Sequence, residues 1–160
     1  MFELKPSAKV PKPQLYARLI EQAQALIGGE RDRIANAANL AALVWHTLPD
    51  LNWAGFYFFD GCELVLGPFQ GKPACIRIAL GKGVCGTAAQ KRETVIVPDV
   101  HQFPGHIVCD SASNSEIVVP LLKNGQLLGV LDLDSPRISR FDAEDAAGLE
   151  RLAAIYTALA

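Results

Sequence analysis

Four cysteines and a single methionine, the initiator, set the sulfur chemistry open to this chain of 160 residues. In a reducing compartment, thiols at that density serve catalysis, redox exchange or metal binding more often than they staple a fold. Cys85 follows Cys75 by ten positions, and Cys109 follows Cys85 by 24. No CxxC pair occurs. A zinc site built from Cys75, Cys85, Cys109 and His106 or His101 lacks the close-spaced ligand pairs that make such motifs specific. Redox use asks instead for a thiolate in an accessible loop and a second thiol within reach. Cys109 lies in the long connection from Pro98 to Ser115 and fits the first part. Cys85 opens a short helix, whose N-terminus is expected to lower its pKa from about 8.5, and fits the second. Cys62, just past Asp60-Gly61, reads as an ordinary hairpin residue.

Carboxylates gather near those thiols. Between Glu93 and Pro136 the acids are Glu93, Asp99, Asp110, Glu116, Asp132 and Asp134, and the only base is Lys123. EIVVPLL (Glu116 to Leu122) and QLLGVLDLD (Gln126 to Asp134) form a hairpin through Lys123-Asn124-Gly125. A three-residue loop with Gly125 left-handed places Glu116 directly opposite Asp132, with Asp134 further along the same face. A two-residue loop sends Glu116 to the other face, and Pro120 could add a bulge of its own. Like charges across a ladder are destabilising, so three converging acids call for a cation or an ammonium group, or for protonation of one of them. The bland alternative, acids at fraying strand ends in water, fits poorly with Asp132 alternating with Leu131 and Leu133 after an apolar run.

Further groups carry weaker signals. GKGVCG (Gly81 to Gly86) is literally GxGxxG, yet the helix after it has room for only about two turns, so a dinucleotide site is not expected. Its amides could hold a smaller anion such as a carboxylate. His101 and His106 are loop histidines, which serve as bases less often than as surface or hydrogen-bonding residues. Trp53 and Tyr57 share one strand face, either as core or as an aromatic wall for a small apolar group.

The elements that must position these groups follow from hydrophobic period. A loose arm, residues 1–12, precedes a helical repeat from Pro13 to Ile27 that ends at Gly28-Gly29, and a second runs roughly from Glu30 to Leu48 before Pro49. Strands then follow at Asn52 to Phe59, Cys62 to Leu66, Cys75 to Leu80 and Thr94 to Val97, with a brief helix from Gly83 to Gln90. The apolar faces of the Glu116–Asp134 hairpin place it at the centre of a sheet covered on both sides. Asp142 caps a last helix through Asp145, with Leu149, Leu152, Ala153, Tyr156 and Leu159 as its buried stripe. Helices, strands, helix is an α+β order: a mostly antiparallel sheet, terminal helices on one face and loops on the other. The length suits a single domain.

Composition removes several function classes. A net charge of -2 without a basic cluster excludes a nucleic-acid or anionic-membrane footprint. MFELKPSAKVPKPQ lacks the apolar stretch of a signal peptide, so a cytoplasmic setting is expected.

LNWAGFYFFDG, LGPFQGKPACIRIALGKGVCGTAA, VPDVHQFPGHIVCDSASNSEIVVPL and GVLDLDSP together resemble the GAF-domain free methionine-(R)-sulfoxide reductases, from about Leu51 to Phe141. The three cysteines with GHIxCD and SEIVVP are specific to these enzymes among GAF domains, most of which sense small molecules. The resemblance implies Cys109 as nucleophile, Cys85 as main resolving cysteine and Cys75 as an auxiliary partner. It also implies Glu116, Asp132 and Asp134 as substrate-binding acids, with Trp53 and Tyr57 near the substrate methyl. The reaction it implies is attack of Cys109 on the sulfoxide sulfur, release of methionine, a sulfenic acid, a disulfide, and reduction by thioredoxin. The acids would hold the free amino group that a methionine sulfoxide within a chain lacks. No metal or tightly bound cofactor is needed, and a homodimer through the terminal helices is implied. The competing expectation is a GAF sensor that holds a small ligand without turnover.

Overall fold

The computed structural model describes residues 1–4 and 9–160. Two helices come first, α1 (Lys12–Ile27) and α2 (Arg33–Thr47). Strands β1 (Trp53–Phe59), β2 (Glu63–Gly71) and β3 (Arg77–Ala79) lead into α3 (Gly83–Lys91). Then come β4 (Val95–Val97), a single 3-10 turn (Val100–Gln102), β5 (Ser115–Lys123), β6 (Gln126–Ser135) and α4 (Ala143–Leu159). The six strands form one antiparallel sheet in the order β3-β2-β1-β6-β5-β4. Among the described residues no helix is long and apolar enough to cross a membrane.

Period-two alternation sorts the side chains between two cores. Ala54, Phe56, Ile117, Val119, Leu131 and Leu133 face α1, α2 and α4 in the larger one. Trp53, Tyr57, Val118 and Val130 face the opposite side, where α3 supplies Val84, Cys85, Ala88 and Ala89. Helix ends are fixed chemically: the Asp32 carboxylate accepts from the Ile34 and Ala35 amides, which starts α2 at Arg33 and not at Glu30. Asp142 and Asp145 form a capping box on α4. Asp145, fully buried, also accepts from Tyr16 and pairs with Arg140 and Lys12, tying α1 to α4. Of the arm expected at residues 1–12, Lys12 therefore already belongs to α1, and residues 5–8 lie outside the described residues.

The β5–β6 hairpin departs from the expected turn. Lys123 pairs with Gln126, leaving a two-residue loop of Asn124 and Gly125 at φ 51 and 76. That is a type I′ turn, whose positive φ at both positions suits Asn-Gly and matches strand twist. Alone it would turn Glu116 away from the aspartates. A bulge intervenes: Leu122 pairs with Leu127 but Leu121 with Gly129, so Leu128 is the extra residue. The two offsets restore parity. Glu116 now faces Asp134, and Asp132 faces Val118, all on one face of the sheet. Pro120 is tolerated because β4 pairs with β5 only from Glu116 to Val118, leaving that edge of β5 open beyond it.

Candidate active site

The face of the sheet opposite α1, α2 and α4 carries a pocket walled by β1, β5, β6, the start of α3 and the loops before β3 and β5. Strand register aims its acids. Asp132 on β6 sits across from Gly55 on β1, between Trp53 and Tyr57, which point to the same side. Trp53 stacks at 5.8 Å on Tyr57 and at 5.2 Å on Phe69, forming one wall. Its indole N–H donates to the Lys72 carbonyl (3.1 Å), and the Tyr57 hydroxyl donates to the Cys75 carbonyl (2.9 Å). The aromatic wall therefore also holds the segment that carries Cys75.

Glu116 and Asp132 are 6% and 5% exposed, and the Cys85 residue 4%. Cys85 Sγ donates to Glu116 Oε1 at 3.9 Å, and His106 Nε2 lies 3.5 Å from Glu116 Oε2. Burial pushes both carboxyls well above the ordinary range, and repulsion adds to it, from Asp134 on Glu116 and from Glu116 on Asp132. Asp134 moves the same way through burial and then Asp132. The expectation that the α3 N-terminus lowers the Cys85 thiol is overturned. Burial first, then Asp132 and Glu116, raise it well above its usual value, and these outweigh a partial helix charge. His106, which faces Glu116, is pushed below the usual imidazole value by burial.

Cys109 and Cys75 are joined in a disulfide with Cα atoms 5.9 Å apart. Cys85, to which the resemblance gives the main resolving role, keeps a free, buried thiol, and Cys62 is free and exposed. The loop bearing Cys109 is pinned from just before β1, where Asn52 Nδ2 donates to Asp110 Oδ2 (3.1 Å) and Ser113 Oγ (2.9 Å). Asp110 stays below the usual carboxylate range because it accepts the Ala112 amide and the Asn52 amide, with Lys72 at 3.8 Å. His101 lies outside the pocket, its Nε2 3.0 Å from Asn114 Oδ1. Asn52 and Ser113 were not singled out in the sequence. They lie 61 residues apart and meet only through the fold.

The GxGxxG run has structural reasons. Gly81 N–H donates to the Gly86 carbonyl at 2.8 Å, and a Cβ on Gly86 would sit 2.3 Å from the Ala79 carbonyl oxygen. The glycines close a tight turn from β3 into α3 within an antiparallel sheet. α3 has Lys82 as N-cap without a side-chain cap, and Lys82, Gly83, Val84 and Cys85 line the pocket.

A model of the GAF domain family matches residues 14–157. A free methionine-R-sulfoxide reductase of Escherichia coli is 52% identical over 143 residues, covering 89% of this chain and 87% of that protein. The structure of free methionine-R-sulfoxide reductase from Neisseria meningitidis in complex with its substrate superimposes with a TM-score of 0.95 at 44% identity, covering 99% of this chain and 95% of that one. A protein from Burkholderia vietnamiensis described as a GAF sensor superimposes with a TM-score of 0.90 at 65% identity, over 92% of this chain and 94% of that one. Sheet order, two-sided core and half-identical relatives over nine-tenths of its length agree: the chain belongs to the GAF-domain family, together with the free methionine-R-sulfoxide reductases.

Proposed function

We propose that this protein reduces free L-methionine-(R)-S-oxide to L-methionine. The observation that carries the reading is the meeting of three acids with elevated pKa and a disulfide at one pocket. Burying carboxylates without a counter-charge is costly, and a substrate ammonium supplies that charge. Glu116, Asp132 and Asp134 take the ammonium, Trp53 and Tyr57 flank the methyl group, and the first amides of α3 take the carboxylate.

Cys109 in its thiolate form attacks the sulfoxide sulfur as the oxygen gains a proton from a carboxyl of the acid cluster. An acid whose pKa is raised can hold that proton near neutral pH. Methionine leaves and Cys109 is left as a sulfenic acid. We assign the next step to Cys75: its thiol condenses with the sulfenic acid, water leaves, and the Cys75–Cys109 disulfide forms. Its pairing with Cys109 supports this, as does the raised pKa of Cys85, which disfavours its thiolate. Cys85 stands as the second partner. Thioredoxin in the cytoplasm then reduces the disulfide by thiol exchange, and the protein works as a homodimer through its terminal helices.

The test is NADPH oxidation with thioredoxin, thioredoxin reductase and free methionine-(R)-sulfoxide. Sustained turnover that Cys109→Ser abolishes is expected. Ligand binding without turnover would replace the enzyme by a sensor.

A further inference from the structure

Cys85 is a buried thiol that the Cys75–Cys109 disulfide leaves unused. Its Sγ, one carboxylate oxygen of Glu116 and one of Asp132 all lie within 4.8 Å of one another, brought together from α3, β5 and β6. A second feature belongs to this cluster: Asp132 Oδ1 is buried and, among the described residues, has no hydrogen-bond partner. A buried oxygen in that state forfeits its hydration without replacement. His106 Nε2, 3.5 Å from the second oxygen of Glu116, adds an imidazole on the same wall.

Donor chemistry narrows the ligand. One sulfur with carboxylate oxygens suits zinc-class ions, whereas calcium and magnesium take oxygen ligands and gain nothing from a thiolate. The cluster differs from the set of three cysteines and a histidine that sequence spacing disfavours, because it takes one cysteine from a helix and its acids from two adjacent strands. We propose that Cys85, Glu116 and Asp132 form an exchangeable site for a thiophilic divalent cation, with His106 set against one oxygen of Glu116, at the place where the substrate ammonium binds. In the oxidised resting protein the bound ion takes the place of the substrate ammonium. Binding forms a metal–sulfur bond and releases the Cys85 thiol proton, together with any proton held by the two carboxyls, so it strengthens as pH rises. No sulfur changes oxidation state. The metal site stands independently of the proposed reductase activity; only its competition with substrate rests on that reading.

The experiment uses the oxidised full chain carrying Cys62→Ser, in which Cys85 is the one remaining free thiol of the four. Cadmium is titrated while the thiolate-to-metal charge-transfer absorption is followed. One equivalent should develop the band, zinc should discharge it, and adding Cys85→Ser should remove it. Asp132→Asn should weaken cadmium by about tenfold or more. No band, a band that survives Cys85→Ser, or affinity untouched by Asp132→Asn overturns the site. Free methionine, which carries the same ammonium, should suppress the band. A band that methionine leaves intact keeps the metal site and overturns the ammonium assignment, so the two failures are distinguishable.

Discussion

Asp132 projects from β6 toward Glu116 and the Cys85 thiol, with one oxygen unpartnered among the described residues. Its pKa is raised by burial first and by Glu116 second, so the folded chain binds its proton more tightly than the unfolded chain, where a free aspartate titrates near ~3.9. Stability is therefore lost as pH rises from that unfolded value through the folded one. Asp132→Asn keeps the shape and removes the charge. It should stabilise the protein at neutral pH by about 1 kcal/mol, roughly 2–4 °C in Tm for a chain of this size. The gain should shrink as pH falls through ~4 and vanish well below it, where the native acid is neutral in both states. On the proposed binding mode, the same variant should raise KM for methionine sulfoxide about tenfold or more, since a charged hydrogen bond to the ammonium would be lost. Melting curves across pH and steady-state kinetics check the two halves. Cys75 and Cys85 separate in a different assay: with thioredoxin present, Cys75→Ser should release about one methionine per subunit and stall, whereas Cys85→Ser slows but sustains turnover. The reverse pattern would return the first disulfide to Cys85.

At the level of elements, alternation in QLLGVLDLD and EIVVPLL made the shared face of Glu116, Asp132 and Asp134 legible, because side-chain period is a local property of a strand. The turn was not. A three-residue loop and a two-residue loop with a bulge at Leu128 give the same parity, and only the ladder pairings from Lys123–Gln126 to Leu121–Gly129 tell them apart. The convergence of the acids was thus correct for a reason the sequence did not display. Gly55 illustrates a second hidden constraint. It lies opposite Asp132 on β1, and a Cβ there would sit 2.3 Å from the Phe69 Cβ and 2.8 Å from the Trp53 ring. Gly55→Ala must push β2 or the indole aside. It should cost about 1–3 kcal/mol of stability and raise KM by tilting the aromatic wall. Chemical unfolding and kinetics on the same preparation measure both, and an unchanged KM would show that Trp53 does not contact substrate.

Across the whole molecule, helices α1, α2 and α4 cover one face of the sheet and leave the other to α3 and the loops. That division could be read from element order, since terminal helices need a common apolar face to bury. What sequence period leaves unmarked is how the loops close over the site. Cys75 and Cys109 are 34 residues apart, and Asn52 reaches Asp110 across 58. The fold also leaves two aliphatic side chains in water beside the disulfide, with Ile76 69% and Val108 66% exposed, each adjacent in sequence to one of its cysteines. A protein reductant must bring its own sulfur into bonding reach of this bond, and an approach over Ile76 and Val108 would cover both. Fully burying such a side chain is worth about 1.5–3 kcal/mol, and partial burial of the pair supplies roughly a tenfold gain in encounter-complex affinity. Ile76→Asp combined with Val108→Asp should therefore cut kcat/KM for thioredoxin about tenfold or more, since placing charge at an apolar contact adds a desolvation cost to the lost burial. A small dithiol needs no such surface, and turnover driven by it should stay within about twofold, because surface changes away from the reacting atoms carry little energy. Parallel steady-state assays with the two reductants decide the matter. Equal losses would mean that the substitutions act on the disulfide itself, and no loss with either would place the reductant on another side of the bond.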